Sequence, residues 1–73
     1  MIKKYGDIYI RIGHAIKDFR KKKNLTQVQL ANLTAKLDDA KISDIENGKE
    51  DYMFSTLLQI CEALDLNIEL RQK

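Results

Sequence analysis

The chain has 73 residues, 44% of them hydrophobic, and a formal net charge of +2 at pH 7. This length fits one domain and lies near the lower limit at which a chain buries a sufficient core alone. Small domains are commonly stabilised by disulfides, by metals or by a partner subunit. A single cysteine, Cys61, excludes an intrachain disulfide, and a single histidine, His14, excludes a Cys/His zinc set. We therefore expect a partner subunit, and we predict neither a metal nor a cofactor.

The N-terminal residues contain no long apolar run and no small-residue cleavage site, so no signal peptide is predicted. No stretch approaches the roughly 18 apolar residues that a membrane span needs. We therefore expect a reduced, cytoplasmic protein without a membrane partner.

Positive charge is concentrated in the first third of the chain. Residues 1–24 carry eight basic and two acidic side chains, whereas residues 25–73 carry five basic and nine acidic ones. A basic helix on an acidic body can orient a molecule on a polyanion such as nucleic acid. The same charges also fit a solvated helix whose cationic end complements the helix dipole, and charge alone slightly favours this second interpretation.

Apolar side chains recur at three- and four-residue spacing in the first segment, which predicts a helix with Asp7 as its N-cap and Asn24 as its stop. Thr26 and Gln29 then have the spacing of a capping box, which marks the start of a second, short helix. The apolar face of the first helix is expected to comprise Ile8, Ile12, Ala15, Ile16 and Phe19.

Asp38 is the predicted N-cap of a third helix, which should end at Asn47-Gly48 because glycine suits a left-handed closing residue. Helical spacing resumes after a charged loop and predicts a fourth helix. Its apolar residues are Phe54, Leu57, Leu58, Cys61 and Leu64, and Cys61 is expected to be a small core residue. The core predicted for the whole chain contains Leu30, Leu37, Ile42, Ile45, Leu57, Ile60 and Leu64.

The last segment has a period of two, because Leu66, Ile68 and Leu70 alternate with polar residues. This alternation predicts a β-strand. One strand is not stable alone, and the chain offers no second strand. We therefore divide the chain into a helical domain, residues 1–65, and a C-terminal strand or tail, residues 66–73, which pairs with another subunit or else frays.

Two short helices joined by a turn and flanked by longer helices form the helix-turn-helix layout. Over residues 12–66 the sequence resembles the XRE family, which includes Cro and the phage repressors. The resemblance lies in Leu25-Thr26-Gln27-x-x-Leu30-Ala31, Ile42-Ser43-x-Ile45-Glu46-Asn47-Gly48 and Leu57-Leu58-x-Ile60-Cys61-x-Ala63-Leu64. It implies an all-α, lambda-repressor-like DNA-binding domain of four to five helices with a short C-terminal β-strand.

The resemblance also implies a function, a sequence-specific repressor that binds a palindromic operator on double-stranded DNA as a homodimer. Its third helix would lie in the major groove, and the start of its second helix would hold a phosphate. The residues expected to contact DNA are Thr26, Gln27, Asp39, Ala40, Lys41, Ser43, Asp44, Asn47 and Lys49. Arg20 and Glu46 are expected to form a structural ion pair, and Leu66, Ile68 and Leu70 to mediate dimerisation.

Departures from the family pattern in the turn, around the fourth helix and at the start of the third helix affect these expectations. The turn between the second and third helices is one residue longer than usual and lacks a glycine, Asp65 takes the place of a glycine after the fourth helix, and Met53 replaces a polar cap. The third helix begins with acidic residues, so an alternative is an interaction module of the same fold that has lost DNA binding. No catalytic set of residues is apparent, and an enzyme is not expected.

The tail is also similar to the terminal strand of HipB-type antitoxins, in which two subunits build a small sheet. This similarity implies an antitoxin that represses its own operon and binds a kinase-like toxin.

Overall fold

The computed structural model describes residues 4–73 and contains four helices within them. They are α1 (Gly6–Lys22), α2 (Gln27–Asn32), α3 (Asp39–Glu46) and α4 (Phe54–Ala63). The predicted all-helical arrangement, with two short helices between two longer ones, is thereby confirmed. No helix among these residues is both long and apolar enough to cross a membrane.

The start of α1 differs from the prediction, because Tyr5 and not Asp7 is the N-cap residue. The Tyr5 carbonyl accepts hydrogen bonds from the amides of Ile8 and Tyr9, at 3.0 and 3.2 Å. Asp7 is the second residue of the helix and makes no cap hydrogen bond, although a carboxylate in the first turn is still stabilised by the positive end of the helix dipole. The predicted stop is confirmed, since Asn24 has a left-handed φ of 57°.

The predicted caps of the two short helices are confirmed. The amide of Gln29 donates to Thr26 Oγ1 at 3.1 Å, and Gln29 Oε1 accepts from the Thr26 amide at 2.8 Å, which completes a capping box. The amide of Lys41 donates to Asp38 Oδ1 at 2.8 Å. Gly48 closes α3 with a φ of 65°. Glycine adopts this left-handed conformation readily because it has no Cβ atom.

The turn between α2 and α3 spans residues 33–38 and contains no glycine. Thr34 closes it instead, since its hydroxyl donates to the Ala31 carbonyl at 2.7 Å and accepts from the Leu37 amide at 3.2 Å. None of the residues in this turn has a positive φ. The turn therefore has no position at which only glycine fits.

The core lies between all four helices. Leu30, Ile42, Ile45 and Ile60 are completely buried, and Leu64 is 2% exposed. The other members are Ile16 and Ala31, with Leu37 and Leu57 half-buried against them. The core predicted from helical spacing is thus confirmed.

Gly13 lies at a point where α1 and α3 approach each other closely. A Cβ atom added there would lie 2.6 Å from the Glu46 carbonyl oxygen and would also collide with the Ile45 carbonyl. Since these are backbone atoms, the two helices can pack at this distance only because residue 13 has no side chain.

Residues 66–73 form no strand within the chain, so the expected C-terminal strand is a wrong prediction for the single chain. A strand needs a neighbour for its backbone hydrogen bonds, and residues 4–65 provide only helices and turns. The Leu66 amide instead donates to the Cys61 carbonyl at 2.8 Å, and the Leu66 side chain is half-buried against the core. Ile68 is 41% exposed and Leu70 is 97% exposed.

Asp65 stands at the position where α4 ends, with a left-handed φ of 58°. Its carboxylate accepts a hydrogen bond from Lys23 Nζ at 2.6 Å, which lowers the pKa of Asp65. An exposed ion pair thus joins the C-terminal ends of α1 and α4.

Candidate nucleic-acid interface

Arg20 and Glu46 are brought together by the packing of α1 on α3. Arg20 Nε lies 2.6 Å from Glu46 Oε2, and Arg20 Nη2 lies 3.0 Å from Glu46 Oε1. Arg20 Nη1 also donates to the Leu25 carbonyl at 2.7 Å. The two residues are 7% and 2% exposed, and the hydrogen bonds that Arg20 donates to the Glu46 carboxylate raise the pKa of Arg20. These hydrogen bonds therefore fix the end of α1 against the end of α3.

Gln27 joins this network from the first turn of α2. Its side-chain amide donates to Glu46 Oε1 at 3.2 Å. The start of α2 is thus tied to the end of α3 by a polar contact as well as by the apolar contact of Leu30 and Ala31. The polar contact and the apolar contact together fix the angle between the two short helices.

The residues predicted to face DNA lie on the outer side of α3. Ile42 and Ile45 are completely buried on its inner side. Asp39 and Ala40, in its first turn, are exposed. The half-buried residues on this side are Lys41, Ser43 and Asp44. The helix thus lies on the core by one face and presents a short polar face to solvent.

Two of the predicted phosphate-contacting residues lie at the end of α3. Asn47 is exposed, and its side-chain amide donates to the Ser43 carbonyl at 2.9 Å. Lys49 is exposed and forms no ion pair with any residue of the described chain. Its ammonium group is therefore available to an anion.

Lys41 is the basic residue of α3, and it is already paired. Its Nζ donates to Glu50 Oε1 at 2.6 Å, and this hydrogen bond raises the pKa of Lys41. Asp44 and Asp38 contribute to the same upward shift through their charges. The surface around α3 is consequently rich in carboxylates.

The loop that carries Glu50 is fastened to α1. Tyr9 Oη donates to Asp51 Oδ1 at 2.6 Å, which raises the pKa of the Tyr9 phenol. The rings of Tyr9 and Tyr52 meet edge to face, with their centroids 5.3 Å apart. Sequence reasoning missed this contact, because residues 42 positions apart carry no local signal of their meeting.

Gly13 could have been found from the sequence, and it was missed as well. A glycine in the interior of an amphipathic helix lowers helix propensity, which is a signal that close packing requires it there.

Within residues 4–73 no group of three or more His, Cys, Asp or Glu residues could hold a metal ion. Cys61 is buried, and burial raises the pKa of its thiol.

The two short helices are capped, polar and apolar contacts fix the angle between them, and the outer face of the second is exposed. This arrangement defines a helix-turn-helix DNA-binding domain with the fold of a transcription regulator. The chain belongs to the helix-turn-helix domain family, whose model matches residues 13–70. The resemblance to XRE-type regulators predicted from the sequence is thereby confirmed.

Two solved structures show the same fold. The restriction-modification controller protein C.AhdI from Aeromonas hydrophila is 25% identical, with a TM-score of 0.81 over 89% of this chain and 93% of that chain. The clp gene regulator ClgR from C. glutamicum is 25% identical, with a TM-score of 0.76 over 82% of this chain and 76% of that chain. No curated protein matches the sequence.

Proposed function

We propose that the chain is a sequence-specific transcriptional regulator that binds a palindromic DNA operator as a homodimer. The observation that carries this proposal is the position of α3. Its inner face is completely buried at Ile42 and Ile45, while Asp39 and Ala40 project from its first turn into solvent. A rigidly held helix with a free polar N-terminal turn suits insertion into the major groove. The two similar structures are those of a restriction-modification controller protein and of a clp gene regulator.

The contacts divide into those that position the protein and those that read bases. We assign the positioning contacts to Thr26, Gln27, Ser43, Asn47 and Lys49. Lys49 is the strongest of these candidates, because its ammonium is exposed beside the end of α3. We assign base reading to Asp39, Ala40, Lys41 and Asp44.

The carboxylates of α3 suit a particular base. A carboxylate accepts a hydrogen bond from the N4 amino group of cytosine in the major groove. The same group repels phosphates, so it contributes to binding only where a matching donor is present. An acidic reading helix therefore favours sequence selection over general affinity for DNA.

The homodimer proposal rests on exposed apolar side chains around the C-terminal tail. Ile68 and Leu70 line an open groove together with Tyr5, Ile8 and Phe54. All five are large and between 41% and 97% exposed. A contiguous apolar surface of this kind is typical of an interface. Leu66, the third predicted dimerisation residue, packs on the core of its own chain.

The antitoxin hypothesis stays a prediction. It depends on a paired C-terminal strand and a kinase-like toxin, and residues 66–73 form no strand within the chain. We do not include a toxin in the proposal.

Selection from a library of random DNA duplexes tests the proposed function. The purified chain should enrich a sequence with two-fold symmetry, and the enriched duplex should bind at least 10³-fold more tightly than random DNA, as specific binders typically do, at about 0.15 M salt. Asp44→Asn should change the preference at one base pair of each half-site. Asp18→Asn, which removes the same charge from the exposed surface of α1, should not. If no duplex binds more tightly than random DNA, the chain is an interaction module and the proposal is wrong.

A further inference from the structure

The ion pair between Lys41 and Glu50 lies on the proposed DNA-reading surface and not away from it. Lys41 is the third residue of α3, and Glu50 lies in the loop that follows that helix. Their charged atoms are 2.6 Å apart, and the side chains are 40% and 35% exposed. The pair is therefore accessible to a ligand that approaches the outer face of α3.

Glu50 is held in place from outside α3. On its C-terminal side, Asp51 accepts a hydrogen bond from Tyr9 of α1, and Tyr52 packs edge to face on the same tyrosine. The α1 helix is in turn held against α3 at Gly13. The backbone next to Glu50 is thus anchored to α1 by tertiary contacts, which limits the positions that the Glu50 side chain can take beside Lys41.

The pairing changes what Lys41 contributes to DNA binding. An unpaired lysine on this surface attracts the phosphates of any DNA and releases counterions when it binds. A lysine paired with a carboxylate carries no net charge to the complex and adds little to that general attraction. Asp38 and Asp44 lower the local potential further. The ammonium group has three donors, and Glu50 occupies one of them, so the others remain for acceptors such as guanine O6 and N7.

We propose that Glu50 is a positioning residue that sets DNA specificity, because it orients the Lys41 ammonium toward base edges and cancels its attraction to phosphates. The inference rests on the proposed function and deepens it. Lys41 then contributes to affinity at a guanine that lies within reach and contributes almost nothing on other sequences.

Three variants test this inference on the full chain: Glu50→Gln, Lys41→Met and the double variant. Glu50→Gln keeps the size of the side chain and removes its charge. Glu62→Gln is the matched control, because it removes one negative charge from the exposed surface of α4. Dissociation constants are measured by fluorescence anisotropy for the selected duplex and for a random duplex between about 0.05 and 0.2 M salt. Circular dichroism verifies that each variant is folded.

Glu50→Gln should tighten binding to random DNA on the order of fivefold at about 0.1 M salt and should steepen the plot of log K against log salt by about 0.9, the value for one additional phosphate contact. Affinity for the selected duplex should rise less, so the ratio of specific to random binding falls. Lys41→Met should abolish the preference at one base pair. The double variant should lack this preference too, but it should bind random DNA with the wild-type salt slope, because it carries the same net charge as the wild type. Glu62→Gln should change neither the slope nor the ratio.

Two results would overturn the inference. If Glu50→Gln tightens binding to selected and random DNA equally, Lys41 contacts phosphates and Glu50 does not set specificity. If Glu50→Gln behaves like Glu62→Gln, the pair has no role in DNA binding. In both cases the wild-type chain still selects an operator, so the proposed function survives; a wild-type chain that selects no sequence contradicts the function itself.

Discussion

Arg20 and Glu46 are charged side chains that lie in the interior of a small domain. Removing two charges from water is costly, and mutual attraction offsets this cost only when the geometry is good. Here two hydrogen bonds join the pair, and Leu25 and Gln27 satisfy further groups. The pair thus contributes little net stability, but it determines how α1, α2 and α3 meet.

Arg20→Met should destabilise the fold by about 3 kcal/mol or more, because it leaves the buried Glu46 carboxylate without its partner. Urea unfolding followed by circular dichroism measures this loss. Arg71→Met is the control. It also removes an arginine from an ion pair, with Glu69 at 3.6 Å, but this pair is exposed in the tail. An Arg20→Met protein that unfolds at the wild-type urea concentration would show that the pair is not a structural requirement.

At the residue scale, the sequence predicts what local chemistry determines. Thr26, Asp38 and Gly48 were identifiable because a cap depends on residues three or four positions away. Asp7 was misassigned, since the backbone carbonyl of Tyr5 begins α1 without a side-chain cap. The attachment of Tyr9 to Asp51 could not be predicted, because it exists only once α1 has packed beside the loop after α3.

At the element scale, the packing of α1 on α3 depends on the absence of a side chain at Gly13. Gly13→Ala should cost about 2 to 3 kcal/mol, the upper range for overpacking, because its methyl group meets the backbone of α3 and forces the helices apart. Gly6→Ala is a matched control, since a Cβ at residue 6 has no neighbour within 4 Å. Thermal unfolding of the two variants compares them directly. Equal melting temperatures would contradict the close approach of α1 and α3.

The N-terminal cap of α3 gives a second prediction at this scale. Asp38→Ala should destabilise the fold by about 1 kcal/mol, because the Lys41 amide loses its hydrogen-bond partner. Asp7→Ala should cost less, since Asp7 makes no cap hydrogen bond in α1. Denaturant unfolding of both variants tests the assignment. A larger loss for Asp7→Ala would restore Asp7 as the cap.

The elements that the sequence could not define are those that depend on a neighbour. All four helices follow from apolar spacing and caps, and the length of the turn between α2 and α3 was recognised by comparison with the family pattern. Its closure by Thr34 was not foreseen, because the hydroxyl bonds on both sides appear only in the folded turn. The alternation in residues 66–70 indicated a strand, but alternation describes which faces are apolar and does not provide a pairing partner.

The whole molecule combines a rigid helical body with an apolar surface around its C-terminal tail. The double variant Ile68→Lys with Leu70→Lys should shift a dimer toward the monomer in sedimentation analysis, because it places charges in the proposed interface. Leu66 is left unchanged, since it belongs to the core. The control is Leu33→Lys, which alters a leucine 58% exposed at the end of α2. If the double variant sediments as the wild type does, the tail is not the interface.

The central claim is that the starts of α2 and α3, with the loop after α3, form one DNA-reading surface. An NMR titration of the ¹⁵N-labelled, 73-residue chain with its selected duplex tests this claim most directly. Amide shifts should change at residues 26–29 and 38–50 and should remain nearly constant through the middle of α4. Shift changes confined to α4 and the apolar groove, with α3 unaffected, would contradict the account.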